Sequence, residues 1–224
     1  MADNRFNVGR AFKSLIELEK MSFGGEIPMA GKNARKPLKK TGLLDQLKKK
    51  VESCHDCPLS ETRTKVVFGA GNPSAQLMFV GEAPGMDEDL QGKPFVGKAG
   101  QLLTKIIASI GLGREDVFIA NILKCRPPNN RNPLPEEIAR CRGYLLKQIE
   151  IIKPRIICAL GKFAGQVLLE SDEPITRLRG NFVERYGSLV ICTYHPAYLL
   201  RNPGGKKYVW EDMKKIRKTL CSQK

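Results

Sequence analysis

The chain reads as an α/β protein, a three-layer α/β/α sandwich around a mostly parallel four-stranded sheet. Three observations predict this. Four apolar runs, at 77–80, 117–120, 155–160 and 189–193, are long enough for buried strands and too short for stable helices. They read as continuous apolar segments, which a parallel strand covered on both faces requires. Helical patterns lie between or beyond them, at 99–110, 135–152, 162–170 and 207–220, the alternation expected of crossover connections. Finally, 224 residues with 42% hydrophobic content suffice for one well-cored domain.

Taken in order, residues 1–40 read as a basic mobile arm or linker. A short amphipathic helix fits 11–21, but Gly24, Gly25, Pro28, Gly31 and Pro37 break anything longer, and 32–40 is a basic run. That run either adds nonspecific phosphate affinity or solvates a tail. At 41–53, Leu43, Leu44, Leu47 and Val51 recur at helical spacing with lysines opposite, so an amphipathic helix should deliver Cys54. The first strand breaks at Gly81, and Pro84 and Gly85 bring bare backbone into a cleft lined by Glu82, Asp87, Glu88 and Asp89. Ligands of parallel sheets sit beyond the carboxyl ends of the strands. The residues expected on that rim are Gly81 and Glu82, Asn121, Gly161 and His195.

A net charge of +15 and a pI near 9.6 point to a polyanionic partner, nucleic acid ahead of an acidic membrane surface. A plain solvating role for the lysines is the alternative. No apolar run approaches the about 20 residues that span a bilayer. With no h-region at the N-terminus, the expected location is cytoplasmic, intracellular and not secreted. Seven cysteines make an odd number, and without an export signal a disulfide framework is a poor default. Cys54 and Cys57 form C-x2-C, and Cys125 and Cys141 form C-x15-C beside Arg126, Arg140 and Arg142. Four thiolates so arranged suit a [4Fe-4S] cluster ahead of zinc, whose structural sites use two short-spaced pairs, with unligated buried cysteines as the remaining alternative. Cys158 and Cys192 read as core residues and Cys221 as free.

Each rim residue also has a plainer reading. His195, between a strand and Pro196, can donate to a developing oxyanion or be a core histidine bonded to a carbonyl. Asn121 can read the edge of a base or cap a turn. Phe95 can stack on a planar ring or fill the core. Gly161 and Lys162 can receive a phosphate or simply make a tight turn. Tyr198, Leu199, Leu200 and Arg201 can wedge into a base stack or pack a loop onto the sheet.

GEAPG at 81–85, KPFVGKAGQLL at 93–103, NILKCRPPNNRNP at 121–133 and HPAYLLRNP at 195–203 together resemble the family 4, iron-sulfur uracil-DNA glycosylases. The likeness runs over about 43–220, within an expected catalytic domain at 41–224. It implies hydrolysis of the N-glycosidic bond of uracil in DNA during base-excision repair, on a nucleotide taken out of the stack. By motif, Gly81 and Ala83 would line the base site, Phe95 would stack on uracil and Asn121 would read its polar edge. His195 would stabilise the departing base, and Glu88 would exclude the thymine methyl. Tyr198, Leu199, Leu200 and Arg201 would fill the vacated gap, with the two leucines leading. Cys54, Cys57, Cys125 and Cys141 match the cluster ligands, in a structural role.

One departure concerns the water. The best-known branch of the superfamily carries an aspartate where this chain has Ala83, which leaves Glu82 to position it. A branch with a covalent histidine has a histidine-containing insertion, whereas 129–137 contains none. The expected protein is a monomer acting on uracil-containing DNA, with no membrane association and an unidentified partner for the arm. Two rivals remain: a noncatalytic iron-sulfur DNA-binding module, and a glycosylase for another deaminated or damaged base.

Overall fold

The computed structural model describes residues 39–222. The helix expected at 11–21 and nearly all of the expected arm lie outside the described residues; Lys39 and Lys40 open the first helix. In chain order the elements are α1 (Lys40–Glu52), α2 (Leu59–Thr62), β1 (Ala70–Gly71), β2 (Leu77–Gly81), α3 (Met86–Gln91), α4 (Lys98–Ala108) and β3 (Phe118–Asn121). There follow α5 (Pro135–Ile152), β4 (Ile156–Leu160), α6 (Lys162–Leu169), α7 (Ile175–Leu178), β5 (Phe182–Arg185), β6 (Ser188–Thr193), α8 (Pro196–Arg201) and α9 (Lys206–Cys221). The sheet order is β1-β3-β2-β4-β6-β5.

The four expected strands are the central ones, and all three pairings among them are parallel. The sheet has six strands rather than four, because antiparallel β1 and β5 close its two edges. β5 joins β6 through Tyr186 and Gly187, both at positive φ, the backbone that a two-residue hairpin needs. Side chains alternate across the central strands into two separate cores. Met78, Val80, Ala120, Ile157, Ala159 and Cys192 face α1, α5 and α6. Leu77, Phe79, Ile119, Ile156, Cys158 and Ile191 face α4, α8 and α9. These are the three expected layers, and Cys158 and Cys192 are core residues on opposite faces. β2 sends the chain to β3 on one side, and β4 pairs with it on the other. That reversal of direction leaves a crevice at the strand ends.

Candidate active site

Four of the expected residues meet in the crevice. Gly81 ends β2 directly beside Asn121, the last residue of β3. A Cβ on Gly81 would collide with Asn121 Oδ1 and the Phe95 ring, so only glycine permits this packing. Asn121 is 1% exposed, and its Oδ1 is buried with no hydrogen-bond partner. Leaving such an acceptor empty costs about 1–3 kcal/mol, the mark of a group awaiting a donor. Phe95 is buried, and its ring lies 5.6 Å from that of His195 at 35°. Its φ of 53° is a left-handed conformation that a bulky residue adopts only when its surroundings hold it. Glu88 supplies one restraint: its Oε1 accepts from Val96 N (2.8 Å) and Gly97 N (2.9 Å), and its Oε2 from Gly85 N (3.2 Å).

His195 caps α8, and its Nδ1 accepts from Ala197 N at 3.1 Å. An accepting Nδ1 carries no proton, so the neutral ring bears its N–H at Nε2. Burial pulls the imidazole down to about 4, Glu88 opposing and Arg201 assisting, so the ring is neutral at pH 7. Burial alone pushes the Glu82 carboxyl up to about 7, which makes it a base available near neutrality. Ala83 is half-buried against the first core. Gly161, at φ 89°, lies so close to His195 that a Cβ there would sit 3.0 Å from His195 Cβ; packing therefore accounts for the glycine that sequence offered as a phosphate turn.

The stretch 198–201 is a helix, not a loop, and this separates its members. Leu199 turns inward at 1% exposure, packed with Val209 and Met213, and is unavailable as a wedge. Leu200 (48%) and Tyr198 (41%) face solvent.

The four cysteines come together in a second pocket, joined to Asn121 through Lys124. Cys54, just beyond α1, Cys57, Cys125 and Cys141 on α5 line one pocket with Arg63, Lys124 and Tyr144. Among the described residues, no three His, Cys, Asp or Glu side chains converge as a single ion requires. Burial pushes the Cys141 thiol up to about 12, so positive charge must offset its ionisation. Arg63 Nη1 donates to Cys125 Sγ (3.2 Å), and the backbone N–H of Lys124 donates to Cys141 Sγ (3.3 Å). Lys124 is itself buried at 1% exposure and bonds Asn121 O (2.8 Å) and Gln148 Oε1 (2.7 Å), with no carboxylate partner among the described residues. A buried cation without an acid fits an anionic, thiolate-ligated group in this cavity.

The sequence profile of the uracil DNA glycosylase superfamily matches residues 68–216. The chain is 49% identical over 189 residues to a type-4 uracil-DNA glycosylase of Archaeoglobus fulgidus, covering 81% of this chain and 94% of that one. It is 48% identical over 179 residues to the type-4 enzyme of Thermotoga maritima, covering 78% and 93%. With that of Saccharolobus solfataricus it shares 47% over 189 residues, covering 80% and 88%. The chain belongs to the type-4 uracil-DNA glycosylases.

Two residues of this type-4 glycosylase that bear on the pocket escaped sequence reasoning. Arg114, in the loop before β3, donates to Pro94 O (2.8 Å), Phe95 O (3.1 Å) and Thr104 Oγ1 (3.2 Å). It grips from behind the turn that Glu88 grips from in front. A lone arginine in a charged loop reads as a solvated one, so nothing in the sequence singles it out. Lys124 is the other; its place between Asn121 and Cys125 was its only signal.

Proposed function

We propose that this glycosylase hydrolyses the N-glycosidic bond of uracil in DNA and leaves an abasic site, as a step of base-excision repair. The observation that carries the reading is the neutral His195 with its proton on Nε2, on a ring packed against Phe95. As the C1′–N1 bond breaks, its electron pair moves onto the base and negative charge grows on uracil O2. A fixed N–H donor there stabilises the transition state more than the ground state. Asn121 Oδ1 accepts the N3–H of uracil, Phe95 stacks on the ring, and Gly81 and Ala83 line the backbone side. Glu88 excludes the C5 methyl of thymine by fixing the wall of two loops it ties together. Water adds to the cationic C1′ and gives up its proton, with the Glu82 carboxylate orienting it and accepting that proton. Leu200, flanked by Tyr198 and Arg201, fills the gap left by the extruded nucleotide.

Cys54, Cys57, Cys125 and Cys141 would hold a [4Fe-4S] cluster, which supplies a cross-link between α1, the end of β3 and α5 rather than a step of hydrolysis. The wide C-x15-C spacing of the second pair favours the cluster over one zinc ion, whose structural sites use two short-spaced pairs. The test is release of free base from matched oligonucleotides containing uracil, hypoxanthine or thymine. Uracil release without thymine release is the expected result. No release from any of them by folded, cluster-loaded protein would instead support a noncatalytic DNA-binding module.

A further inference from the structure

Beside the pocket stands a column of stacked side chains, of which only Tyr198 has a part in the proposed reaction, as a neighbour of Leu200. Tyr194 immediately precedes His195, and its ring stacks on that of Tyr198 with centroids 5.0 Å apart at 30°. Beneath, the Arg179 guanidinium lies 5.5 Å from the Tyr194 centroid and 4.9 Å from that of Tyr208. Arg179 is anchored by Asp212 Oδ1 at 2.7 Å, and Thr193 Oγ1 donates to the other oxygen of that buried carboxylate at 2.6 Å. The base of the column is therefore rigid. Both end rings are exposed, Tyr208 at 42% and Tyr198 at 41%, but Tyr208 is engaged by a second cation, Lys207, at 5.0 Å. Tyr198 N donates to His195 O at 2.9 Å, which sets the ring one helical turn from the imidazole. A soluble surface gains nothing from fixing an exposed aromatic ring on a buried ion pair; a stacking partner does.

We propose that the outer face of Tyr198 is a subsite for the nucleobase adjacent to the extruded uridine on the same strand. The proposal rests on the glycosylase reading. The charge fits, since Arg201, Lys206 and Lys207 follow Tyr198 closely in sequence, in a chain of net charge +15. Every base offers a π-face, so the subsite is indifferent to sequence, and it works on single strands because it needs no base pair. The test uses the full, cluster-loaded protein and single-stranded oligonucleotides bearing 2′-fluoro-deoxyuridine, which resists cleavage. They are made with normal neighbours or with an abasic spacer on one side. Tyr198→Ala is expected to raise Kd about 10-fold with normal neighbours. Tyr198→Phe should restore tight binding. Wild type should lose affinity to a similar degree when the spacer occupies the correct side, and there Tyr198→Ala should cost nothing more. An equal effect of Tyr198→Ala with and without the neighbouring base, or wild-type binding indifferent to both spacers, would overturn the subsite. Failure of wild type to release uracil from the unfluorinated strand would overturn the glycosylase reading instead.

Discussion

A neutral imidazole is a donor that needs no counter-charge, and so it can be kept in a pocket that excludes water. Replacing it removes one oxyanion donor: His195→Ala is expected to lower single-turnover uracil release ~100-fold or more, and a near-normal rate would remove the residue from the mechanism. On the proposed mechanism, Glu82 sets the pH response. With its carboxyl near 7, the rate should climb as pH rises through that value, and Glu82→Gln should lower the rate and flatten the limb. His195 governs stability in a different window. Its folded value, about 4, lies below the ordinary ~6.5, so between these values the unfolded chain holds more protons. Stability is full above that window and declines as pH falls through it, which melting curves from pH 7 to pH 4 would record as a falling Tm. At this scale the sequence was legible wherever a residue sat at the end of an apolar run: His195, Asn121 and Gly81 were found by position alone. The tautomer was not legible, because it depends on the amide of Ala197 two residues along.

Among the elements, the long ones could be read and the short ones could not. α5 and α9 carry enough turns for their periodicity to show, and the four central strands are apolar on both faces. β1 has only two residues, one of them glycine, and β5 ends in Glu184 and Arg185, so neither edge has an apolar signature. α8 is six residues long, too short to reveal which of two adjacent leucines turns inward. The cysteine spacing was legible, but its counter-charge was not, because Lys124 reads as a surface lysine until β3 and α5 enclose it. The proposed cross-link between these elements predicts that Cys141→Ala, or chelation of iron, abolishes the visible absorbance expected of a cluster. The melting temperature should fall by ~10 °C or more, with thiols and a buried cation left uncompensated. An unchanged melting curve would reduce the cluster to an ornament of the fold.

For the whole molecule, the positive charge dictates the kind of encounter. Neutralising only about four phosphates would make the DNA affinity fall ~100-fold between about 50 and 200 mM salt, and a flat response would exclude extensive backbone contact. The sheet has short antiparallel strands at both margins, which denies neighbouring chains a long template for pairing. The stretch from 121 to 125 couples the two pockets mechanically. It places the amide that faces the base and a thiol of the metal-type cavity on one short span, with Lys124 bonding back to Asn121 between them. A single insertion or deletion there would throw both pockets out of register at once. One peptide span is thus the common wall of both pockets, and neither can shift without moving the other.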